Sequence, residues 1–343
     1  MTRSTLSVER LLDSPSTFGA HTRELQGLDP EWVRLRFLYC GICGSDMSGF
    51  EARRDTAYPA SLGHEFIAEV VRVGEAVDGL APGDYVTSDL NYRCGTCEQC
   101  RARRSHLCRE GQVGLFTNRA FADFGDIHAS YLLRLDGAPE MHLALTEPLS
   151  CVLHAKQWAR LQPDDRTLVI GGGGIGLCMA FALHASAPTH RFDIVDLNAS
   201  RLQLVGEAAA PTGRAVPEPE GEYDVVFDLS GSESGLRAAC THVRPGGRLC
   251  SMSHLDGYST ADFLLSVLTR KDVTFTVSYL NGEAANVALA ARLLAEGWGP
   301  AWERVIEVLP IDQLQQAFEG RRRSPWCKTM IRVDRSPAQT GGD

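Results

Sequence analysis

The chain has 343 residues, 44% of them hydrophobic and 22% charged, a balance typical of folded proteins that excludes a disordered or fibrous chain. On the usual scale of about 100–200 residues per domain, this length predicts two domains with a substantial core. Acidic side chains outnumber basic ones, 43 to 34, and the formal charge of −9 speaks against nucleic acid or an anionic membrane surface as a partner.

No apolar run reaches the roughly 18–20 residues that a membrane span requires. The start, MTRSTLSVERLLD, lacks the basic-then-apolar layout of a signal peptide, so the expected location is the cytoplasm. In a reducing compartment clustered cysteines read as metal ligands and scattered ones, such as Cys178, Cys240 and Cys250, as small buried hydrophobes.

From residue 31 to about 90, WVRLRFLYC, EFIAEVVRVG and GDYVTSDL are strand signals punctuated by Gly, Pro and Asp, which predicts a β-rich region. Residues 91–110, rich in Cys, Arg and Gln and without a period, read as a lobe held by a metal. EPLSCVLHAKQWARL is a helix. Beyond it the texture changes to strand and helix in alternation: TLVI and the apolar helix after it, RFDIVD, NASRLQLVGEAA opened by Asn198 or Ser200, EYDVVFDLSG, SESGLRAACTHV, GGRLCSMS and DVTFTVSYL. That alternation is the signature of βαβ units and a parallel sheet. APTGRAVPEPEG is too rich in Pro and Gly to hold a full helix, so one crossover is expected to shrink to a loop. NVALAARLLAEG, IDQLQQAFEGRRR and WCKTMIRV then read helix, helix, strand, ahead of a frayed tail.

Gly171, Gly173 and Gly176 form G-x-G-x-x-G between TLVI and the apolar helix, with Gly174 and Ile175 inside the turn. The first glycine permits the tight turn, the second lets backbone approach a pyrophosphate, and the third lets helix pack on strand. Asp196, 20 residues past Gly176 at the end of the second strand, suits the ribose hydroxyls and repels a 2′-phosphate. NAD(H) is therefore the expected cofactor, with Arg201 over the adenine or in solvent.

Cys94, Cys97, Cys100 and Cys108 have the spacing C-x2-C-x2-C-x7-C, which suits a closed, structural, tetrahedral zinc site better than disulfides. A nucleic-acid zinc knuckle using Arg101, Arg103 and Arg104 is disfavoured by the acidic chain and by Tyr92 being the lone nearby aromatic. For a reacting metal, Cys43 in CGICGSD, the pair His64 and Glu65, and Glu147 at the start of EPLSCVLHA make one thiolate, one imidazole and carboxylates with a position left open. Spacing alone leaves alternatives: Cys40 competes with Cys43, and His154 competes from the helix.

CGICGSD, GHE, the four-cysteine lobe, EPL before a helix, GGGGIG and VRPGGRL, in this order, resemble the zinc-dependent medium-chain alcohol/polyol dehydrogenases over nearly the whole chain. The resemblance implies an α/β protein with a GroES-like β-rich catalytic domain (residues 1–153 and 290–343) and a Rossmann doubly wound parallel sheet (154–289) inserted in it. It implies Cys43, His64 and Glu65 as catalytic zinc positions of the sorbitol dehydrogenase branch and Glu147 as an acid that exchanges with water on the metal. Ser45 becomes the hydroxyl that passes the substrate proton. Two zinc ions per chain, NAD(H), a small polar alcohol substrate and a homodimer or homotetramer follow. The chain departs from the family where Ser48 replaces a common relay histidine, where FIAEVV follows GHE, and in the short 210–222 segment. The C-G-S-D-x-S form, GTCEQC and GLFTNRAFADF look more like the 2-deoxy-scyllo-inosamine dehydrogenases of aminoglycoside biosynthesis. Two other classes compete: a catalytically silent dinucleotide-binding scaffold or regulator, and a zinc-stabilised interaction module.

Overall fold

The computed structural model describes residues 5–91, 93–110, 119–186, 189–209, 212–253, 261–299 and 301–334. The chain begins with an antiparallel hairpin, β1 (Thr5–Ser14) and β2 (Thr17–Leu25), which the strand signals above do not include. Then come β3 (Trp32–Gly41), the one-turn-plus helix α1 (Gly44–Phe50), the two-residue β4 (Ala60–Ser61), β5 (Glu65–Val73) and β6 (Tyr85–Ser88). After the short helix α2 (Glu98–Arg101) follow β7 (Phe124–His128), β8 (Leu132–Leu135) and the long helix α3 (Thr146–Trp158).

Alternation then sets in: β9 (Thr167–Ile170), α4 (Gly174–Ser186), β10 (Phe192–Val195), α5 (Ala199–Ala209), β11 (Gly213–Ala215) and β12 (Tyr223–Asp228). It continues with α6 (Glu233–His242), β13 (Val243–Ser251), α7 (Ala261–Lys271) and β14 (Thr274–Val277). The chain closes with α8 (Ala284–Glu296), α9 (Ala301–Val305), β15 (Ile306–Pro310), α10 (Leu314–Gly320) and β16 (Lys328–Arg332). Asn198 opens α5, its Oδ1 accepting from the Arg201 N–H at 3.1 Å.

The six-stranded sheet runs β11-β10-β9-β12-β13-β14 and all its pairings are parallel, the doubly wound order in which strand order reverses beside the first strand. The crossover from β11 to β12 contains no helix, as its Pro- and Gly-rich sequence predicts. The seven-stranded sheet has the order β15-β16-β3-β5-β6-β8, with β7 also on β3, and it is mainly antiparallel. In this sheet β15 and β16 come from the far end of the chain.

Alternation along β9 sets the packing. Val169 faces the large core shared by α3, α4 and the inner side of the seven-stranded sheet, while Leu168 and Ile170 face α6 and α7. A separate core of Leu35, Phe37, Phe66, Phe121 and Phe318 fills the interior of the β-rich part. Cys178, Cys240 and Cys250 are fully buried, as small hydrophobes would be. Among the described residues no helix is long and apolar enough to cross a membrane.

Candidate active site

β3 delivers the chain to Cys43 at the N-terminus of α1, and β5 begins with Glu65 directly after His64. One ligand atom from each of Cys43, His64 and Glu65 lies within 4.8 Å of the others. Asp46, at the third position of α1, accepts from the Cys43 N–H (3.0 Å) and from the Gly63 N–H (3.2 Å), so one carboxylate pins both approaches to the cluster. Its Oδ1 faces His64 Nδ1 at 3.6 Å. Burial alone would raise the Asp46 carboxyl, but His64 and the two backbone donors outweigh it and hold the group below its ordinary value. Burial would lower His64, yet Asp46 and Cys43 together raise it well above the usual imidazole range. A metal taking this imidazole must therefore displace a proton.

Glu65 is wholly buried and its Oε2 pairs with Lys328, itself 3% exposed. Glu65 Oε1 has no hydrogen-bond partner, and His64 Nδ1 has only the Asp46 carboxylate, at 3.6 Å. Orphaned buried polar atoms beside a thiol are the donor set that a zinc ion satisfies, so these residues fit the metal. Glu147, 4% exposed in the first turn of α3, stands outside the 4.8 Å cluster. Its Oε1 accepts from the Cys151 thiol at 3.3 Å. Burial, with a further push from Glu65, raises its carboxyl to about 7 against the opposing pull of His64.

The competing ligands turn elsewhere. Cys40 is fully buried and lies against Gly63, where an added Cβ would come within 2.9 Å of its sulfur. His154 donates from Nδ1 to the Leu280 carbonyl at 3.0 Å and accepts at Nε2 from Trp158. Ser45 is half-buried in the first turn of α1, and Ser48 Oγ donates back to the Gly44 carbonyl at 3.1 Å.

In the four-cysteine lobe Cys94 and Cys100 hold their sulfurs 3.9 Å apart, as do Cys97 and Cys108. Tetrahedral zinc with bonds of about 2.3 Å needs sulfurs roughly 3.8 Å apart, whereas a disulfide needs about 2.0 Å. All four are free thiols whose sulfurs lie within 4.8 Å of one another, so the lobe fits a closed metal site and not disulfides. The Thr96 hydroxyl, with backbone N–H groups, lowers the Cys94 thiol to about 6, and burial with the facing thiols pushes Cys100 to about 12.

At the glycine turn Gly171 has φ +107°, and a Cβ on Gly176 would lie 1.8 Å from the Gly171 carbonyl oxygen. A Cβ on Gly173 would meet nothing within 4 Å, which leaves its backbone open to a ligand. Gly174 and Ile175, both half-buried, begin α4 at that opening. Asp196 follows β10 and accepts from the N–H groups of Gly172 and Asn198, each at 2.7 Å. Arg201 is not free in solvent, its side chain being 14% exposed. Its Nη1 sits 3.4 Å from both Asp196 oxygens, and its Nη2 donates to the Ser324 carbonyl at 2.9 Å.

Asp46, Cys151 and Lys328 are absent from the sequence reading above. Asp46 was within reach of it, as the acid of the CGICGSD motif. Lys328, some 260 residues from Glu65, carries no local signal.

With this geometry in hand, comparisons with known proteins are informative. The alcohol dehydrogenase GroES-like domain matches residues 29–136. A D-altritol 5-dehydrogenase of Agrobacterium fabrum is 34% identical over 230 residues, 64% of this chain and 68% of that protein. Two solved structures share the fold, each with a TM-score of 0.82 and covering 96% of this chain and 100% of the other: a zinc-binding dehydrogenase of Sinorhizobium meliloti bound to NADP (23% identical) and an alcohol dehydrogenase of Escherichia coli complexed with NADH (22%). The chain belongs to the zinc-dependent medium-chain alcohol/polyol dehydrogenase family.

Proposed function

We propose that the protein oxidises a secondary alcohol of a polyol, cyclitol or aminocyclitol and passes the hydride to NAD, with one zinc at Cys43, His64 and Glu65 and a second at Cys94, Cys97, Cys100 and Cys108. The observation that carries this reading is the convergence of half-buried Cys43 with buried His64 and Glu65, whose Oε1 has no hydrogen-bond partner. Zinc held there supplies Lewis acidity that lowers the pKa of a substrate hydroxyl. Ser45 Oγ, two residues from Cys43, takes the hydroxyl proton outward. Ser48 is turned to its own helix, so the outer path runs through water or a ribose hydroxyl. Glu147, whose Oε1 accepts from Cys151, would be a further carboxylate available to a metal bound there. Asp196 accepts from the ribose hydroxyls, Gly173 leaves its backbone open to the pyrophosphate, and Gly171 and Gly176 permit the turn and the close helix packing that expose it. Arg201, beside Asp196, lessens the repulsion of a 2′-phosphate without removing it.

Residues 1–153 and 290–343 serve as the catalytic domain in this reading and 154–289 as the cofactor domain. The likeness to 2-deoxy-scyllo-inosamine dehydrogenases supports an aminocyclitol substrate and antibiotic-type secondary metabolism. The test is a panel of polyols, cyclitols and aminocyclitols scored by NADH absorbance with NAD and NADP, beside a zinc count. Two zinc ions and turnover with NAD are expected. A single zinc with NADH binding but no turnover across the panel supports a silent scaffold instead. Retention on a polyanion at physiological salt supports an interaction module.

A further inference from the structure

A buried polar network outside the chemistry just described joins the four-cysteine lobe to the far side of the six-stranded sheet. Its centre is Asn281, fully buried in the loop after β14. Oδ1 of Asn281 accepts from the Asn91 amide and from Arg93 Nη2 (3.3 Å), and Nδ2 donates to Asp89 Oδ1 at 2.8 Å. Its backbone carbonyl accepts from Asn286 Nδ2 at 2.9 Å. Arg93 also pairs with Asp89, and its Nε donates to Ser105 Oγ at 2.9 Å. Ser105 Oγ in turn donates to the Gly282 carbonyl, which also accepts from the His106 N–H, both at 3.1 Å. Residues on both sides of the lobe therefore converge on residues 281 and 282.

The place of that loop gives the network meaning. Strand register aligns Val195, Ile170, Asp228, Ser251 and Val277 in one row at the C-terminal ends of their strands. The glycine turn leaves this row after Ile170, and the 278–282 loop leaves it after Val277, three strands or about 14 Å away. A dinucleotide bound to a doubly wound sheet lies along this edge, with its pyrophosphate at the glycine turn. The loop is also fixed to α3, because the Leu280 carbonyl accepts from His154. A Cβ on Gly282, whose φ is +71°, would come within 2.8 Å of the His154 ring. Glu147 lies seven residues earlier on that helix, about 10 Å along its axis.

We propose that Asn281 is a positioning residue: it ties the four-cysteine lobe to the 278–282 loop, so that the integrity of the lobe sets the affinity for the nicotinamide cofactor. The proposal rests on the dinucleotide-binding reading given above. Asn281 supplies one donor and one shared acceptor to a carboxylate, an amide and a guanidinium, of which Asp89 and Asn91 are buried and Arg93 is half-buried.

Asn281→Asp sets a second carboxylate against Asp89. NADH binding to the metal-replete protein, followed by fluorescence titration, should weaken about tenfold, the scale of one lost buried hydrogen bond. Adding Asp89→Asn to that variant restores a single carboxylate among the same partners, and the affinity should return to within about twofold, as one intact bond requires. The zinc count and the KM for the alcohol should stay at wild-type values throughout. Ser105→Ala, a milder cut at Gly282, should weaken NADH by about three- to fivefold and guards against poor folding of the first variant. Wild-type NADH affinity in both single variants overturns the proposal, as does a double variant no better than Asn281→Asp. If the wild-type protein itself fails to bind NADH, the dinucleotide reading falls and this proposal with it.

Discussion

Lys328 and Glu65 are two opposite charges taken almost wholly out of water, an arrangement whose desolvation cost rivals its Coulomb gain. Removing one partner is therefore worse than the pair is good. Lys328→Met should destabilise the metal-free protein by about 3–5 kcal/mol, because Glu65 is left as an uncompensated buried carboxylate. A zinc ion at Cys43, His64 and Glu65 replaces the missing positive charge, so the loss should shrink by about half with zinc bound. Urea denaturation with and without zinc measures both, and equal losses in the two forms would show that Lys328 and the metal do not share Glu65. Asp193 poses the opposite case, at the other end of the six-stranded sheet. Burial pushes its carboxyl up, but two bonds from Arg214 (2.8 and 3.0 Å) and one from the Tyr223 hydroxyl (2.7 Å) outweigh it and hold it below its ordinary value. A depressed carboxyl stabilises the fold above its unfolded pKa of about 3.9, and that contribution is lost as pH falls through the folded value. Asp193→Ala should thus cost about 1–3 kcal/mol at neutral pH. The gap from wild type should close below about pH 4, read from denaturation midpoints across a pH series.

At the scale of elements, the glycine turn is the tightest constraint. The 1.8 Å that a Cβ on Gly176 would leave to the Gly171 carbonyl cannot be relieved by a side chain, since both groups are backbone. Gly176→Ala should move α4 off β9 and abolish NADH binding while leaving both four-cysteine and Cys43 metal sites filled, as zinc analysis and fluorescence titration would show. Retained NADH affinity would mean that the turn tolerates a shift that the packing forbids. The same turn illustrates what a sequence can disclose. G-x-G-x-x-G, the alternating strands and helices around it and the crossover without a helix were all readable, because each depends on neighbours a few residues away. The hairpin β1 and β2 was not. Only Ser7 and Leu12 of β1 are buried, so no apolar alternation marks it. It is held instead by distant partners, Ser7 Oγ donating to the Phe124 carbonyl and the Arg10 N–H to that of Phe121, both at 2.8 Å. β15 escaped notice for a similar reason, being an edge strand whose pairing with β16 spans 22 residues. Among site residues the pattern repeats: Cys43, His64 and the lobe cysteines stand in dense motifs, whereas Lys328 and Asn281 matter only through partners far along the chain. α7 is different, since Phe263, Leu264 and Val267 face the sheet at helical spacing and that signal was there to be used.

For the whole molecule the two metal constellations should differ in lability. Four thiolates in a lobe whose own backbone folds around them make a closed site, while the Cys43 cluster offers three ligand residues of which one is a thiol. Mild chelation should remove activity and one zinc equivalent before far-UV circular dichroism changes, and harsher chelation should then unfold the lobe. Loss of activity, both zinc ions and structure in a single step would contradict this order. The path of the chain carries a further consequence, for synthesis. β16 pairs with the Tyr39–Gly41 end of β3, along the edge opposite β5, yet the whole six-stranded sheet is made between them. At about 5–20 residues per second, a ribosome leaves that edge bare for roughly 15–60 s. An unpaired strand flanked by apolar surface is a template for other chains, and this one stays open until the last strand emerges. A chain cut short before Lys328 never closes this edge and keeps Glu65 without its counter-ion, and it should accumulate as aggregate rather than as a shortened enzyme.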